Sequence, residues 1–363
     1  MDDVDPANTH PCSEVTERET RCVRVTDEDG EPWNRFVGTH PDASVGHLFE
    51  WRTVFRRAYG KACHYLAAVV DGRWVGVVPF VRMASPLSGN RLVSLPFLDR
   101  AGILGDTAMV RSFLFEQCVD FSRRSGARGV SLRHQSLPGN RSEQTTDRAT
   151  LVLALPPSKD ELWKSFRPKV RNQVRKAEKS GLVSEQASVQ SLNAFYRVFS
   201  QNMRDLGSPV HSKAFFLSLF EAFGDRVKLY LTYDASRFVI GGAVALSFRG
   251  TVTVPWASSR RDALAACPNH SLYWTILADS ADDRAREFDF GRSYRDSGTY
   301  RFKEQWGAEP RELRWDAYDI HGDPEPVRNL RPSEHGTIVR MWSRLPLFVA
   351  NRLGPLLRQH IEN

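Results

Sequence analysis

A basic stretch in the middle of the chain could bind phosphate. Between Lys159 and Lys179, eight lysines and arginines stand against three acidic residues. Arg171 and Arg175 are four residues apart, so in a helix their guanidinium groups share one face. Such a face could hold a tRNA backbone or a pyrophosphate group through charge attraction and counterion release. A solvated helix face has the same pattern, so both interpretations stay open.

A carboxylate in a strand-like segment is the second candidate. Asp289 stands between Phe288 and Phe290, and alternation along a strand directs it away from the two aromatic rings. There it could act as a general base in proton transfer, or it could hold a nearby arginine or a backbone N–H group. The holding role is the favoured interpretation.

Motifs that mark several large enzyme classes are absent from the sequence. It contains no Gly-x-Ser-x-Gly, no His-Glu-x-x-His, no phosphate-loop lysine motif and no dinucleotide-binding glycine fingerprint. Hydrolase, metalloprotease and kinase chemistry is therefore disfavoured. The five cysteines form no Cys-x-x-Cys pair, so we expect neither a disulfide framework nor a metal site.

The composition is that of a soluble globular protein. The 363 residues leave room for about two domains, and 41% of them are hydrophobic while 26% are charged. No apolar run reaches the ~18 residues that a membrane span needs. The acidic start lacks the apolar core of a secretory signal. We therefore expect a cytoplasmic protein, with peripheral contact at the inner membrane face as a further option.

Charge is unevenly distributed along the chain. Residues 1–30 carry nine acidic residues and three arginines, and they show no apolar periodicity. This pattern predicts an acidic, disordered tail. The whole chain nevertheless has a formal net charge of +7, so the remainder is strongly basic and favours an anionic partner.

The sequence pattern predicts two similar successions of helices and strands. The first half is predicted to have a helix from Ser44 to Gly60, a hairpin that turns at Asp71-Gly72, and a long helix from Thr107 to Arg124. The second half has a comparable order, and Val93–Phe97 resembles Val252–Trp256 in sequence. These matches predict a duplicated α/β unit.

Six phrases carry a resemblance to a known family. They are His47–Arg52, Leu95–Phe97, Arg167–Lys179, Pro255–Ser259, Phe288–Ser293 and Thr299–Ala308. The element order resembles the acetyltransferase (GNAT) fold repeated twice, and the phrases resemble the FemAB-type peptidyl transferases. Within these, the sequence is most similar to the FemAB-like proteins found beside exosortase/PEP-CTERM polysaccharide loci.

The resemblance implies a mixed α/β (α+β) fold of two tandem GNAT-like domains. On this interpretation residues 31–156 form the first domain, and residues 157–320 form a second domain that carries the acyl-transfer site. Residues 321–363 would be a basic amphipathic segment. The family also implies an activated acyl donor, an aminoacyl-tRNA or an acyl-CoA, with no further cofactor. The acceptor would be an amine on an anionic cell-envelope or exopolysaccharide precursor.

The resemblance also implies particular site residues in the second half of the chain. Lys303 matches the lysine of the family's Phe-Lys phrase, which implies a catalytic cation that stabilises the developing oxyanion; Phe302 beside it would contact substrate. Arg292 and Ser293 follow Gly291, where a GNAT sheet opens towards its ligand. A guanidinium there could bind a phosphate or a carboxylate.

Two further residues have a structural alternative. Trp256 follows a proline at a predicted strand end, where it could line an acceptor groove or pack in the core. Asn269 could contact substrate, or it could cap the helix that begins beside Pro268.

The C-terminal segment has the pattern of a membrane-surface helix. Apolar residues recur at helical spacing between Ile338 and Ile361, with arginines between them. Pro346 and Pro355 are predicted to divide it into short pieces. Docking of the segment onto the first domain is the alternative.

Three functions remain after these steps. The leading one is an acyl- or aminoacyltransferase that forms an amide, a reaction whose activated donor needs no serine nucleophile. A CoA-dependent N-acyltransferase is the second, although Arg123–Arg128 departs from the family's CoA motif because it ends in arginine. A non-catalytic protein that binds a nucleotide-linked sugar is the third.

Overall fold

The computed structural model describes residues 19–85, 89–134, 147–327 and 336–361. Residues 1–18 of the predicted tail and residues 328–335 of the predicted C-terminal segment lie outside the described residues. The strands are β1 (Arg21–Arg24), β2 (Cys63–Val70), β3 (Arg73–Ser85), β4 (Gly89–Val93), β5 (Leu104–Gly105), β6 (Gly129–His134), β7 (Arg148–Ala154), β8 (Val183–Ala187), β9 (Val227–Tyr233), β10 (Val239–Phe248), β11 (Thr251–Ser259), β12 (Glu287–Tyr294), β13 (Glu309–Glu312), β14 (Arg314–Asp319) and β15 (Pro324–Glu325). The helices are α1 (Gly30–Thr39), α2 (Trp51–Tyr59), α3 (Ala108–Arg124), α4 (Lys159–Ser165), α5 (Pro168–Lys179), α6 (Leu192–Asp205), α7 (Lys213–Phe223), α8 (Pro268–Asp282), α9 (Gly298–Glu304), α10 (Gly336–Ser343) and α11 (Leu347–Arg358).

Two mixed sheets organise the molecule, which confirms the predicted fold class. The first has the order β1-β2-β3-β4-β6-β14-β15, with β5 pairing to β3, and the second has the order β13-β7-β12-β11-β10-β9-β8. Each contains three antiparallel strands followed by one parallel strand, namely β2-β3-β4-β6 in the first sheet and β9-β10-β11-β12 in the second. The shared arrangement agrees with a duplicated unit.

Each half of the chain contributes a strand to the other half's sheet. β7 precedes the predicted boundary at residue 156, yet it pairs antiparallel with β12 in the second sheet. β14 precedes the predicted boundary at residue 320, yet it pairs antiparallel with β6 in the first sheet. The two sheets are therefore linked through exchanged strands, and the predicted boundaries do not coincide with them.

Part of the predicted acidic tail is ordered. β1 pairs antiparallel with β2, with Arg21 opposite Val69 and Arg24 opposite Leu66. Because the pairing uses backbone groups, strand formation there needs no apolar periodicity in the sequence.

The helix predicted from Ser44 to Gly60 is divided into two pieces. A short 3₁₀ turn covers Val45–His47, and α2 begins only at Trp51. The Trp33 indole N–H donates to the His47 carbonyl oxygen at 2.6 Å. That carbonyl is therefore bound by a distant tryptophan, whose position the local sequence does not reveal.

One hydrophobic core joins the two sheets. It contains side chains from both halves of the chain, among them Trp51, Phe97, Phe215, Leu231 and Trp256. Separating the two halves across this shared core would cost free energy, because the apolar surface on both sides would become exposed to water. No helix within the described ranges combines the length and apolarity needed to cross a bilayer.

Candidate active site

A cavity of about 540 Å³ lies between the two halves of the chain. Its first wall comes from residues 41–46 and 97–100. Its second wall comes from β11, β12 and α9, together with residues at the ends of β10 and β13. Clefts of this size between structural units are typical places for ligands.

The cavity is located where two parallel strands separate. β11 and β12 pair only over Thr251–Thr253 and Glu287–Asp289, although both strands continue further. Beyond this point Val254 on one strand and Gly291 on the other line the cavity. Gly291 has a φ of +73°, a conformation that favours glycine, and the pairing of β12 with β7 shifts register between Asp289 and Arg292.

The corresponding gap in the first half is filled. β4 and β6 pair only over Leu92–Val93 and Val130–Ser131. Beyond them, the Arg133 guanidinium donates to the carbonyl oxygens of Leu95 at 3.2 Å and Leu98 at 2.7 Å. The first half therefore closes its strand gap with its own chain, while the second half keeps the gap open.

Lys303 is buried in the wall of the open gap. Ser297 caps α9 by accepting from the Tyr300 N–H, and this short helix places the lysine towards β12. Only 8% of Lys303 is exposed, and Nζ donates to the carbonyl oxygens of Gly291 at 2.8 Å and Arg292 at 2.9 Å. An ammonium has three N–H donors, so it can also donate to an oxygen in the cavity.

The surroundings of Lys303 make its ammonium easier to deprotonate than usual. Burial lowers the pKa of Lys303 to about 8, and the Arg292 guanidinium acts in the same direction. The carboxylates of Asp289 and Asp99 oppose this lowering of the pKa. At neutral pH the Lys303 side chain is therefore a buried cation in the cavity wall.

Asp289 organises the turn that binds Lys303. Its Oδ1 accepts from the Thr150 hydroxyl and from the Gly291 N–H, the latter at 2.8 Å. The Nη2 atom of Arg100 lies 3.8 Å from Oδ2 of Asp289. Burial raises the pKa of Asp289, and the Arg100 charge acts against this rise. The carboxylate thus holds a backbone N–H group, which is one of the two partners that the sequence favoured.

Arg292 connects the two halves at the cavity. Its Nη1 donates to Asp99 Oδ1 at 2.9 Å, and its guanidinium lies 5.2 Å from the Trp315 ring centroid. Both Arg292 and Asp99 line the cavity. A guanidinium fixed in this way can present its remaining donors to an anionic ligand.

The structure does not bring Trp256 or Ser293 to the cavity wall. Val254, Pro255 and Ala257 of β11 line the cavity, whereas Trp256 belongs to the shared core. The Trp256 ring packs edge-on against Phe215. Ser293 is buried in β12, and its hydroxyl has no hydrogen-bond partner among the described residues.

Phe302 and Asn269, which the sequence predicted to contact substrate, do not line the cavity. The Phe302 ring lies 5.3 Å from Tyr273 and packs edge-on against it, and Tyr273 lines the cavity. Asn269 Oδ1 accepts from the Ser259 hydroxyl at 2.7 Å, and neither capping nor cavity contact is seen for its side chain.

The predicted basic helix exists but lies away from the cavity wall. α5 begins with Pro168 in its first turn and presents Arg175 to solvent, 5.6 Å from the Trp163 ring. Arg171 donates to the Lys164 carbonyl oxygen at 3.3 Å. Neither arginine lines the cavity, so any phosphate that they bind would be remote from Lys303.

Several cavity residues were missed by sequence reasoning. Together with Lys303 and Arg292, the lining cations are Arg100, Arg249, Arg286 and Arg311, and the lining acids are Asp42, Asp99, Glu287 and Asp289. These arginines come from separate loops and strand ends, so no local spacing connects them. The phrase Phe288–Ser293 is the nearest signal, because it begins one residue after Glu287 and two residues after Arg286. Within the described ranges, no group of three His, Cys, Asp or Glu side chains is arranged to hold a metal ion.

Comparisons with known proteins agree with this architecture. Residues 164–304 match the family model described as an acetyltransferase (GNAT) domain. FemX superposes with a TM-score of 0.65 at 15% identity, covering 82% of this chain and 97% of that chain. A tandem GNAT protein from the clavulanic acid biosynthesis pathway has a TM-score of 0.53 at 12% identity, with 85% and 100% covered. The C-terminal domain of a putative lysylphosphatidylglycerol synthetase from Agrobacterium fabrum has a TM-score of 0.54 at 12% identity, with 79% and 90% covered. The search of curated proteins found no match.

The chain therefore contains a GNAT domain within a tandem GNAT fold, the fold that it shares with FemX. The matched domain supports an acyltransferase, as the resemblance predicted. The narrower similarity to proteins of exosortase/PEP-CTERM loci stays a prediction.

Proposed function

We propose that this acyltransferase moves an acyl or aminoacyl group from an activated donor to an amine, and that the amine belongs to a cell-envelope or exopolysaccharide precursor. The observation that carries the proposal is the burial of Lys303 in the wall of the open strand gap, where this residue lines a cavity between the two halves. A buried lysine is costly in a fold, because its charge loses hydration. A catalytic use of the charge explains why it stands there.

The proposed reaction uses the cation to stabilise negative charge. The acceptor amine attacks the donor carbonyl, and Lys303 donates a hydrogen bond to the oxygen that becomes negative. A new C–N bond forms, and the ester C–O bond of an aminoacyl-tRNA or the C–S bond of an acyl-CoA breaks. The proton that the amine loses balances the one that the departing ribose oxygen or sulfur takes up.

The other cavity residues would orient the two substrates. Asp289 holds Gly291, whose carbonyl oxygen binds Lys303, and thereby fixes the position of the ammonium. Arg292 and Arg100 contribute positive charge to a cavity that has six lining cations and four lining acids. This excess suits an acceptor with a phosphate or carboxylate group.

Two donors remain in the proposal, and each has support. The structural neighbour from Agrobacterium is named for a lipid that carries an aminoacyl group, and the exposed basic face of α5 could contact the tRNA of such a donor. The neighbour from the clavulanic acid pathway is described in a form without AcCoA, which favours acyl-CoA. The aminoacyl-tRNA donor ranks first because the sequence phrases resemble the FemAB-type peptidyl transferases, and that resemblance implies this donor.

The decisive experiment measures donor consumption by the purified protein. Labelled aminoacyl-tRNA and acyl-CoA are incubated separately with cell-envelope precursor extracts, and deacylation or thiol release is followed. We expect one donor to be consumed, and we expect Lys303→Met to reduce the rate about 100-fold or more, since one oxyanion donor is lost.

Lys228→Met is the matched control, because Lys228 pairs with Asp283 away from the cavity. Its rate should stay within about twofold of the unmodified protein, as expected for a surface ion pair. Full activity of Lys303→Met would remove the proposed role of this lysine. Absence of both signals with the unmodified protein would favour the alternative of a non-catalytic sugar-nucleotide-binding protein.

A further inference from the structure

Large apolar side chains are exposed together on the two C-terminal helices. Six of the residues concerned lie between residues 336 and 361, and their exposure ranges from 41% to 76%: Ile338, Met341, Phe348, Leu353, Leu356 and Leu357. Elsewhere in the described residues, exposed large hydrophobic side chains are distributed singly over many elements. A concentration of this kind marks an interaction surface. We call this surface, formed by the outward side chains of α10 and α11, the C-terminal face.

The C-terminal face is held in a fixed orientation by the opposite side of the same helices. Ala350 and Gly354 of α11 are buried, and a Cβ atom at Gly354 would lie 3.0 Å from the backbone nitrogen of Val210. Arg358 extends inwards, with its guanidinium 4.8 Å from the Phe97 ring centroid and its Nε donating to His211 Nε2 at 3.2 Å. The apolar side chains point outwards because the inner side of α11 is already packed.

α10 is anchored in a similar way. Trp342 is buried, and Arg204 of α6 donates to the Leu345 carbonyl oxygen between the two helices at 3.0 Å. A Cβ atom at Gly207 would lie 2.7 Å from the Val339 carbonyl oxygen, so the backbones approach closely there. Both helices thus belong to the folded body of the protein.

The charge of the C-terminal face selects an anionic partner. Residues 336–361 contain no aspartate or glutamate, whereas Arg340, Arg344 and Arg352 are exposed among the apolar side chains. A groove beside α11 continues the positive charge, since Arg197 and Lys213 line it without any acidic residue. Arginines interleaved with long apolar side chains suit a bilayer, whose phosphates and acyl chains lie at adjacent depths.

We propose that the C-terminal face docks on an anionic phospholipid bilayer. Phe348, Leu353 and Leu356 would enter the boundary between headgroups and acyl chains, while Arg352 stays at the phosphate level. The groove cations Arg197 and Lys213 would bind a lipid phosphate beside them. Because Arg358 of α11 contacts Phe97, and Phe97 lines the cavity, docking would bring the candidate active site next to the membrane surface.

Vesicle co-sedimentation tests the proposal without any acyl donor or acceptor. The full chain is mixed with vesicles of pure phosphatidylcholine and with vesicles in which about a third of the lipid is phosphatidylglycerol. We expect binding to the anionic vesicles at low salt, with a decrease of about tenfold or more in apparent affinity on raising the salt concentration from 50 to roughly 500 mM. Phe348→Ser should weaken this binding about tenfold, since it removes one buried aromatic ring from the lipid.

Phe238→Ser is the matched control, because Phe238 is 68% exposed at a site far along the chain, while Phe348 is 76% exposed. Circular dichroism of both variants verifies that they are folded. Equal loss in both variants, equal binding to pure phosphatidylcholine, or no sedimentation with anionic vesicles would each overturn the proposal. A concentration-dependent dimer that Phe348→Ser disrupts, with no vesicle binding, would assign the face to a second copy of the chain. Failure of vesicle binding leaves acyl transfer untouched, since the two assays share no reagent.

Discussion

At the scale of single residues, the burial of Lys303 changes the charge on which the proposed reaction depends. Its two carbonyl partners fix the ammonium, and its lowered pKa is about 8. Because this value lies below the ordinary 10.5, the unfolded chain binds the proton more readily than the folded chain between these two pH values. The contribution of Lys303 to the free energy of unfolding therefore rises with pH in this window. Activity should fall in the same window, because the cation is lost.

The pH profile of kcat gives the first prediction at this scale. We expect a basic limb near pH 8, set by the lowered pKa of Lys303. Asp289→Asn should move this limb to lower pH, because the Asp289 carboxylate raises the pKa of Lys303 and the amide does not. Asp42→Asn is the control, since Asp42 lines the cavity but is not among the charges that set this pKa.

Two results would contradict this assignment. An unmoved basic limb in Asp289→Asn would show that another group controls it. Loss of an acid limb instead would assign Asp289 the general-base role that the sequence left as its second interpretation.

At the scale of elements, the bend of β12 positions the Lys303 ammonium. Gly291 adopts a φ of +73°, and its carbonyl oxygen accepts from Lys303. A Cβ atom there would lie 3.3 Å from the Val254 carbonyl oxygen, on the strand across the gap. The separation of β11 from β12 and the anchoring of Lys303 thus depend on the same residue.

Gly291→Ala should therefore affect stability and catalysis together. We expect a loss of about 1–2 kcal/mol in the free energy of unfolding, because a residue with a Cβ atom is forced into the left-handed region. We also expect kcat to fall about tenfold or more through displacement of Lys303. Urea denaturation and the donor-consumption assay measure the two effects.

The control for this variant is Gly60→Ala at the end of α2. Gly60 has a φ of +61°, and its Cβ position has nothing within 4 Å. The stability loss should be similar, while kcat should be unchanged. An equal decrease in kcat for both variants would mean that general destabilisation, and not the position of Lys303, explains the effect.

At the scale of the whole molecule, the exchanged strands make the two halves interdependent. β7 completes the second sheet beside β12, and β14 completes the first sheet beside β6. The shared core adds apolar contacts between the halves. The cavity lies on this junction, so Arg292 from one half and Asp99 from the other remain 2.9 Å apart only while both sheets are intact.

We predict one cooperative unfolding transition for the whole chain. Leu132→Ala in β6 and Leu151→Ala in β7 remove fully buried side chains, one from each sheet. Each should destabilise the protein by about 2–5 kcal/mol and shift the same transition. Urea denaturation followed by far-UV circular dichroism and by tryptophan fluorescence is the measurement. Two transitions, each responding to one variant, would show that the halves unfold independently.

Features set by neighbouring residues were predictable from the sequence. The hairpin at Asp71-Gly72 is confirmed by the antiparallel pairing of β2 and β3, and Thr107 caps α3 as expected. The predicted break at Pro346 is found between α10 and α11, whereas Pro355 lies inside α11 and does not end it. These outcomes depend on backbone preferences within a few residues, and Pro355 is an exception because α11 continues through it.

By itself, the sequence determined the fold class, the duplication and the segment that carries Lys303, since caps, turns and phrases are local properties. Only the tertiary structure decided the strand exchange, the filled gap in the first half and the burial of Lys303. It also decided that Arg292 meets Asp99 across 193 residues of chain. The physical reason is that such contacts depend on which distant segments share a sheet and a core. The periodicity of one segment is compatible with several pairing partners, so it does not select among them.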